Sequence, residues 1–501
     1  MESLSMLFEG FLLALSGWNI FFCLLGVTIG MLVGVMPGLG PTAGTAMLIP
    51  LTFGMDPMSA IIMLAGIYYG AMYGGTITAV LINTPGEAAS VITALDGYQM
   101  AKQGRAGVAL GVSAIGSFVG GTIAVLGLAF IGPPLAKFAL KFGPPEFFAL
   151  MMLGLLMVVG LMGKSIIRGI IAAVFGLILS LIGMDPVSGT TRFTFGQLDL
   201  LNGLDFVAIA MGLFGISEIL MNVENKLKEE KPHAVKGMFP SQNEVRPTMK
   251  AIGRGTGLGF LLGLVPGTNS VIASIMSYSM EKKLAKDPSR FGKGAIEGVA
   301  GPETANNAYS GAALIPLFTL GLPSSPTVAV ILGAFILHGL TPGPVLFQSN
   351  PSFVWGVIAS MFIGNLLLLI MNLPLANMWA KIATVPYKLL FPIILIISVL
   401  GCYSVNNSLW DVGVMIVFGI LGYLMKKLDI PIAAVVLTFV LGNQIESSLL
   451  QSLAMSDGSL MIFLSRPISG FLIIFALLIL IFSIISMVKS KRSILIADAE
   501  M

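Results

Sequence analysis

Long apolar runs, interrupted by short polar turns, fill this chain from end to end. Runs at about 18–36, 107–130, 146–163, 165–183 and 204–222 predict helices long enough to cross a bilayer, and so do those at about 352–374, 391–405, 409–425, 430–449 and 467–488. An amphipathic lead-in helix is expected at about 3–15; it lacks the basic start and small-residue cleavage site of a removed signal. Asp56-Pro57 reads as a helix start, Asp as N-cap and Pro at the first helical position, for a helix over about 57–72. The stretch from Glu87 to Gly104 is amphipathic and ends at the basic Lys102 and Arg105.

Four interruptions do not fit ordinary spanning helices. Pro37-Gly38-Leu39-Gly40-Pro41 separates the run ending near 36 from a short returning helix at about 42–53, and Asn83-Thr84-Pro85-Gly86 forms a second break. Pro removes a backbone donor and Gly weakens a helix, so each cluster must interrupt one. Both breaks recur later. Pro266-Gly267-Thr268-Asn269-Ser270 lies between helices expected at about 252–266 and 268–283 and answers the first. Leu322-Pro323-Ser324-Ser325, between segments at about 296–322 and 326–346, answers the second. Irregular backbone among membrane helices is tolerated where it is buried in protein or lines a wet cavity, and interrupted segments at matching places in two halves point to a transporter's binding site.

The expected organisation is a first membrane half at 1–222, a polar linker at 223–252 and a second membrane half at 253–501. The linker region carries Lys226, Lys228, Lys231, Lys236, Arg246, Lys250 and Arg254, whereas the loop from Asp185 to Asn202 has no lysine, which places the linker on the cytoplasmic side. Lys426, Lys427, Lys489, Lys491 and Arg492 fall on that side if spans alternate. The first copy is bare at 53–57 and basic at 102–105. The second is basic at Lys282, Lys283, Lys286, Arg290 and Lys293 and bare from His338 to Ser349. That exchange predicts inverted copies. The expected fold is therefore an all-α polytopic membrane protein of two inverted repeats with paired re-entrant hairpins, divided into scaffold and elevator-like transport parts.

Composition agrees and narrows the function classes. Of 501 residues, 56% are hydrophobic and 10% charged, and the mean hydropathy is +0.95. The net charge of +3 gives no ground for a nucleic-acid partner. Cys23 and Cys402 are isolated, and His233 and His338 are the two histidines, so neither a disulfide framework nor a histidine metal pair is indicated. There is no protease signature and no phosphate-binding GxxxxGK[ST] loop, which disfavours an intramembrane enzyme and an ATP-driven pump. A passive anion channel stays open as an alternative.

Interrupted helices expose N–H groups at one tip and carbonyls at the other, a pairing suited to an anion and a small cation. The side chains at the breaks are short oxygen and amide groups: Thr42, Asn83, Thr84, Thr268, Asn269, Ser270, Ser324 and Ser325, with Pro37, Gly38, Gly40, Pro85, Gly86, Pro266, Gly267 and Pro323 shaping the backbone. Any coupling Na⁺ is expected at the same breaks. Pro302-Glu303-Thr304-Ala305-Asn306-Asn307 is a further polar cluster. Glu303 reads either as the opening of a surface helix or as a buried functional group, beside Asn306 and Asn307. Glu87 reads as a helix start, Glu218 as a surface residue, and Tyr68, Tyr69 and Tyr73 as helix contacts or an interfacial belt. Both Gly-Met-Asp-Pro sequences, at 54–57 and 183–186, read as helix caps.

GVMPGLGPTAGTAMLIPLTF, YYGAMYGGTITAVLINTPGE and GPETANNAYSGAALIPLFTLGLPSSPTVAVILGAF resemble the large membrane subunit of the tripartite tricarboxylate transporters, the TctA family, over about 20–480. The resemblance implies a multi-pass protein of the bacterial inner membrane that imports di- or tricarboxylates such as citrate. It further implies a small membrane subunit (TctB-like) and a periplasmic solute-binding protein (TctC-like) as partners. No cofactor is implied beyond a coupling Na⁺ or H⁺.

Overall fold

The computed structural model describes residues 2–162, 165–185, 189–224, 233–235, 237–382, 385 and 387–481. The first half contributes α1 (Glu2–Ala14), α2 (Gly17–Val35), α3 (Gly40–Leu48), α4 (Pro57–Ile82), α5 (Ser90–Lys102), α6 (Ala106–Ala139), α7 (Pro144–Met162) and α8 (Ile166–Ser180), then α9 (Phe206–Ala210) and α10 (Ser217–Glu224) joined by a wide helical turn at Met211–Ile216. The second half contributes α11 (Gln242–Gly263), α12 (Ser270–Leu284), α13 (Glu297–Ala312), α14 (Leu314–Leu320), α15 (Pro326–Leu337), α16 (Leu346–Ser349) and α17 (Pro351–Ile382). It ends with α18 (Tyr387–Asn406), α19 (Leu409–Lys427), α20 (Ile432–Ala454), α21 (Ile462–Ser465) and α22 (Pro467–Ile481). Among the described residues, 7 helices are long and apolar enough to cross a membrane, and the chain is a multi-pass membrane protein. Lys226, Lys228, Lys231, Lys236, Pro186, Lys489, Lys491 and Arg492 lie outside the described residues, as do 163 and the end of the expected 467–488 span.

Several boundaries differ from the sequence reading for identifiable reasons. Helix α4 continues past 72 to Ile82, because Gly74 and Gly75 are places where other backbone approaches closely and not helix ends. Its start is as expected: Asp56 accepts N–H bonds from Met58 and Ser59. The segment expected at 296–322 divides at Ala313, since Pro316 cannot donate to the carbonyl of Ala312. Helix α15 stops at Leu337, and an irregular stretch precedes α16. The Gly-Met-Asp sequence at 183–185 is not a helix cap. Gly183 and Met184 pair antiparallel with Thr191 and Arg192, and Asp185 takes the guanidinium of Arg192.

The chain divides into two compact units, each drawing on both halves of the sequence. The first comprises 1–137, 207–265 and 269–423. In it α2 and α4 run parallel, with Gly26, Gly30 and Gly34 set in order against Met63, Ile67 and Ala71. The returning α3 makes this possible by bringing the chain back until Ser59 bonds Asn19 at 2.6 Å. Helices α11 and α13 repeat the arrangement: Gly255, Gly259 and Gly263 lie on Gly301, Ala305 and Tyr309. A Cβ on Gly259 would stand 2.2 Å from the Ala305 carbonyl oxygen, so the two axes approach as only small residues allow. Between them α12 runs antiparallel, tied to α11 by Arg254 and Glu281 (Nε to Oε1, 2.7 Å).

The second unit comprises 138–206, 266–268 and 424–501. Helix α8 packs on α20 where Gly176 meets Val435 and Thr438 and Gly442 meets Ser180. Arg192 also bonds Glu446 at 2.6 Å, and Arg466 bonds Glu146 at 2.5 Å. Residues Pro266–Thr268 belong to this unit, with Gly267 at φ +81° pressed against Met157 and Val158.

Candidate functional site

Two helix starts, one from each half of the sequence, meet in the first unit. Helix α3 opens at Gly40-Pro41-Thr42 and α15 at Ser325-Pro326-Thr327, and the hydroxyls of Thr42 and Thr327 are 2.7 Å apart. In both, Pro sits where its missing N–H costs nothing. Ser325 caps α15 by accepting from Val328 N, whereas α3 has no side-chain cap, leaving first-turn N–H groups for another acceptor. Pro37 and Gly38 form the turn ahead of α3, with Gly38 at φ +85° and its carbonyl accepting from Asn222.

The second break of the first half folds back onto the first. Asn83 ends α4 in the left-handed region at φ 51°, and Thr84 bonds the Ile82 carbonyl. After Pro85 the chain returns so tightly that a Cβ on Gly86 would lie 1.7 Å from the Gly34 carbonyl oxygen and 2.9 Å from the Gly75 Cα. In the second half the corresponding break, through Pro323, is closed by side chains. Ser324 Oγ donates to the Ala313 carbonyl at 3.1 Å, and the Tyr309 hydroxyl donates to the Ser324 carbonyl at 3.2 Å.

A buried polar network joins the two halves beneath these breaks. Glu87 accepts from Ala89 N at 3.1 Å, Ser90 Oγ at 3.0 Å and Asn306 Nδ2 at 2.7 Å. Glu303 Oε1 accepts from Thr93 Oγ1 at 2.5 Å. Asn307 donates to Ser117 Oγ at 2.7 Å, and Tyr73 donates to Asn365 at 2.7 Å. Tyr69, Tyr73, Asn307, Ser310 and Asn365 supply the polar wall of a small cavity. The surface-helix reading of Glu303 is thus overturned: α13 begins six residues earlier, at Glu297, and Glu303 is 1% exposed. Glu87 does precede a helix start, but it is buried and shared with α13. Tyr68, Tyr69 and Tyr73 are interior residues, and Glu218 is half-buried.

The structure brings Thr42, Ser325 and Gly86 into these two junctions and Glu303, Asn306 and Asn307 into the network. Asn83 is exposed, and Asn269 spends its side-chain oxygen capping α12 at Ile272 N, with the buried Ser270 following. Thr268, also buried, belongs to the second unit. Sequence reasoning missed Thr327, Thr93, Ser90, Ser117 and Asn365. For Thr327 a signal was present, the Pro-Thr dipeptide that opens a helix at both 41–42 and 326–327. Ser117 and Asn365 are polar residues within apolar helices, and Ser90 and Thr93 are small hydroxyls on the amphipathic α5; their partners become evident only when the helices pack.

The sequence model of the tripartite tricarboxylate transporter TctA family matches residues 20–437. An uncharacterized 52.8 kDa protein in the TAR-I ttuC' 3' region of Agrobacterium vitis is 49% identical over 493 residues, 98% of either chain. A second uncharacterized protein, in the TAR-II ttuC' 3' region of the same organism, is 50% identical over 234 residues, which are 47% of this chain and 97% of its own. No solved structure matches. A match that spans all four helix breaks and the buried polar network leaves one assignment: the chain belongs to the tripartite tricarboxylate transporter TctA family.

Proposed function

We propose that this protein is the large membrane subunit of a secondary importer in a bacterial inner membrane. It takes a di- or tricarboxylate such as citrate from a periplasmic solute-binding protein, works beside a small membrane subunit, and uses a Na⁺ or H⁺ gradient. Family membership supports the transporter class, and the meeting of the α3 and α15 starts at Thr42 and Thr327 carries the site assignment. The uncapped α3 start offers N–H groups with roughly half a positive charge, and the threonine hydroxyls of the two starts add a donor beside them. A carboxylate there needs no lysine or arginine. The duplicated hairpins, read as inverted copies, alternate access by moving together as a transport part against a scaffold of the remaining spans.

Uptake of labelled citrate and a panel of di- and tricarboxylates into proteoliposomes holding the reconstituted subunits tests this reading, with Na⁺ and H⁺ gradients imposed separately. Accumulation above equilibrium that needs both a cation gradient and the binding protein is the expected result. Downhill flux indifferent to any gradient would make the protein a passive anion channel, and gradient-driven uptake without the partners would make it a stand-alone symporter.

A further inference from the structure

Four acceptor oxygens of α13 make no hydrogen bond: Glu297 Oε2 at the helix start and, deeper in, Glu303 Oε2, Asn306 Oδ1 and Asn307 Oδ1. The last three residues are 1%, 0% and 2% exposed, so water does not replace the missing partners at the surface. Glu303 and Asn306 are three apart and share one helix face, and the Thr76 hydroxyl of α4, buried and also without a hydrogen-bond partner, lies beside Glu303 as its one spare donor among the described residues. All of these groups except the hydroxyl can only accept. A set with excess acceptors and a carboxylate calls for positive charge.

No neighbouring side chain among the described residues delivers that charge. Helix α4 brings Tyr73, whose hydroxyl is given to Asn365. Glu87, before α5, has three donors of its own, and Asp96 on α5 is held by Gly292 N, Gly294 N, Ala295 N and the Tyr278 hydroxyl. Arg254 on α11 is engaged by Glu281 on α12, and Glu297 on α13 by Arg290. The remaining cations of α5, α11 and α12, namely Lys102, Arg246, Lys250, Lys282 and Lys283, are exposed. Helix α6 presents the neutral Ser117.

We propose that Glu303, Asn306 and Thr76 form a monovalent-cation site, separate from the helix starts that hold the carboxylate, which takes up one Na⁺ or one proton. A sodium ion is met by carboxylate, amide and hydroxyl oxygens together. A proton on Glu303 Oε2 turns that oxygen into a donor on the face that carries the Asn306 acceptor. Either way one positive charge neutralises the same group. Asn306 connects the site to substrate, because its Nδ2 holds Glu87, which follows Gly86 where the two breaks of the first half join. That link between cation and substrate rests on the transport reading; cation binding at the site itself does not need a substrate.

The test is thermal unfolding of the purified full chain in detergent without any carboxylate. Sodium chloride is titrated against choline chloride at constant ionic strength and pH, and pH is varied separately without sodium. A site occupied only in the folded state raises the midpoint with its ligand. Wild type should gain several degrees with Na⁺ or, if the ligand is a proton, with falling pH. E303Q should lose the Na⁺ response or, if the ligand is a proton, should gain less than wild type as the pH falls. E303D and T76V should need at least tenfold more cation, and they decide the matter if E303Q does not fold. A wild-type midpoint indifferent to both ions, or an E303Q response equal to wild type, overturns the proposal. Because no carboxylate is present, failure of citrate uptake alone would count against the transport reading and leave this result standing.

Discussion

The two halves of the first unit share a backbone plan but divide the chemistry. In the first half α2 and α4 are fastened by glycines on both helices, and the break at 83–86 closes by backbone against backbone at Gly34, Gly75 and Gly86. In the second half α11 supplies three glycines, but α13 carries Glu303, Asn306 and Asn307, and the break closes through Ser324 and Tyr309 side chains. Helix α4 has no ionisable carboxylate in 26 residues, whereas α13 has two in 16. The lesson is that two similar glycine-lined crossings set where these helices meet, while the polar groups gather on one of them. The first half contributes Glu87 and Thr93, from outside its long helix.

The sharpest way to break this comparison is to cut what bolts the halves together. Asp96→Ala leaves three N–H groups and the Tyr278 hydroxyl without their acceptor, and should destabilise the protein by about 3–5 kcal/mol, as for a broken buried charge network. Folded yield and thermal midpoint report it, and a wild-type midpoint would place the attachment elsewhere. Gly86→Ala comes next. Its methyl group must displace backbone on two sides, so a loss of about 3 kcal/mol is expected, at the upper end of overpacking costs.

Gly30→Ala and Gly259→Ala probe the shared plan and should each cost about 1–3 kcal/mol, by similar amounts in the two halves. A wide gap between them would mean that the two crossings are not equivalent. The smallest effect is expected for Ser324→Ala, about 1 kcal/mol for one hydrogen bond, because the Tyr309 hydroxyl still bonds the residue's carbonyl. If Ser324→Ala matched Gly86→Ala, the distinction between side-chain and backbone closure would fail.

Much of the plan was legible because Pro and Gly act locally. The breaks at 37–41, 83–86 and 322–325, the Asp56 cap and the run of apolar segments all follow from rules that need no tertiary partner. The extent of α4 was not legible, since Gly74 and Gly75 look like a weak point until α2 and Gly86 are seen against them. Glu303 was ambiguous for a related reason. Pro302-Glu303 is a normal helix opening in sequence, and only the packed structure shows a helix already under way, with the Pro302 carbonyl accepting from Ser274 Oγ. The pairing of Thr42 with Thr327 spans 285 residues, beyond any local pattern, although the repeated Pro-Thr start foreshadows it.

The most direct test of the account is the position of a transported carboxylate in an experimental structure of the loaded transporter. The account predicts carboxylate oxygens within hydrogen-bond distance of the first N–H groups of α3 and of the Thr42 or Thr327 hydroxyl. A carboxylate bound elsewhere, with both helix starts untouched, would contradict it.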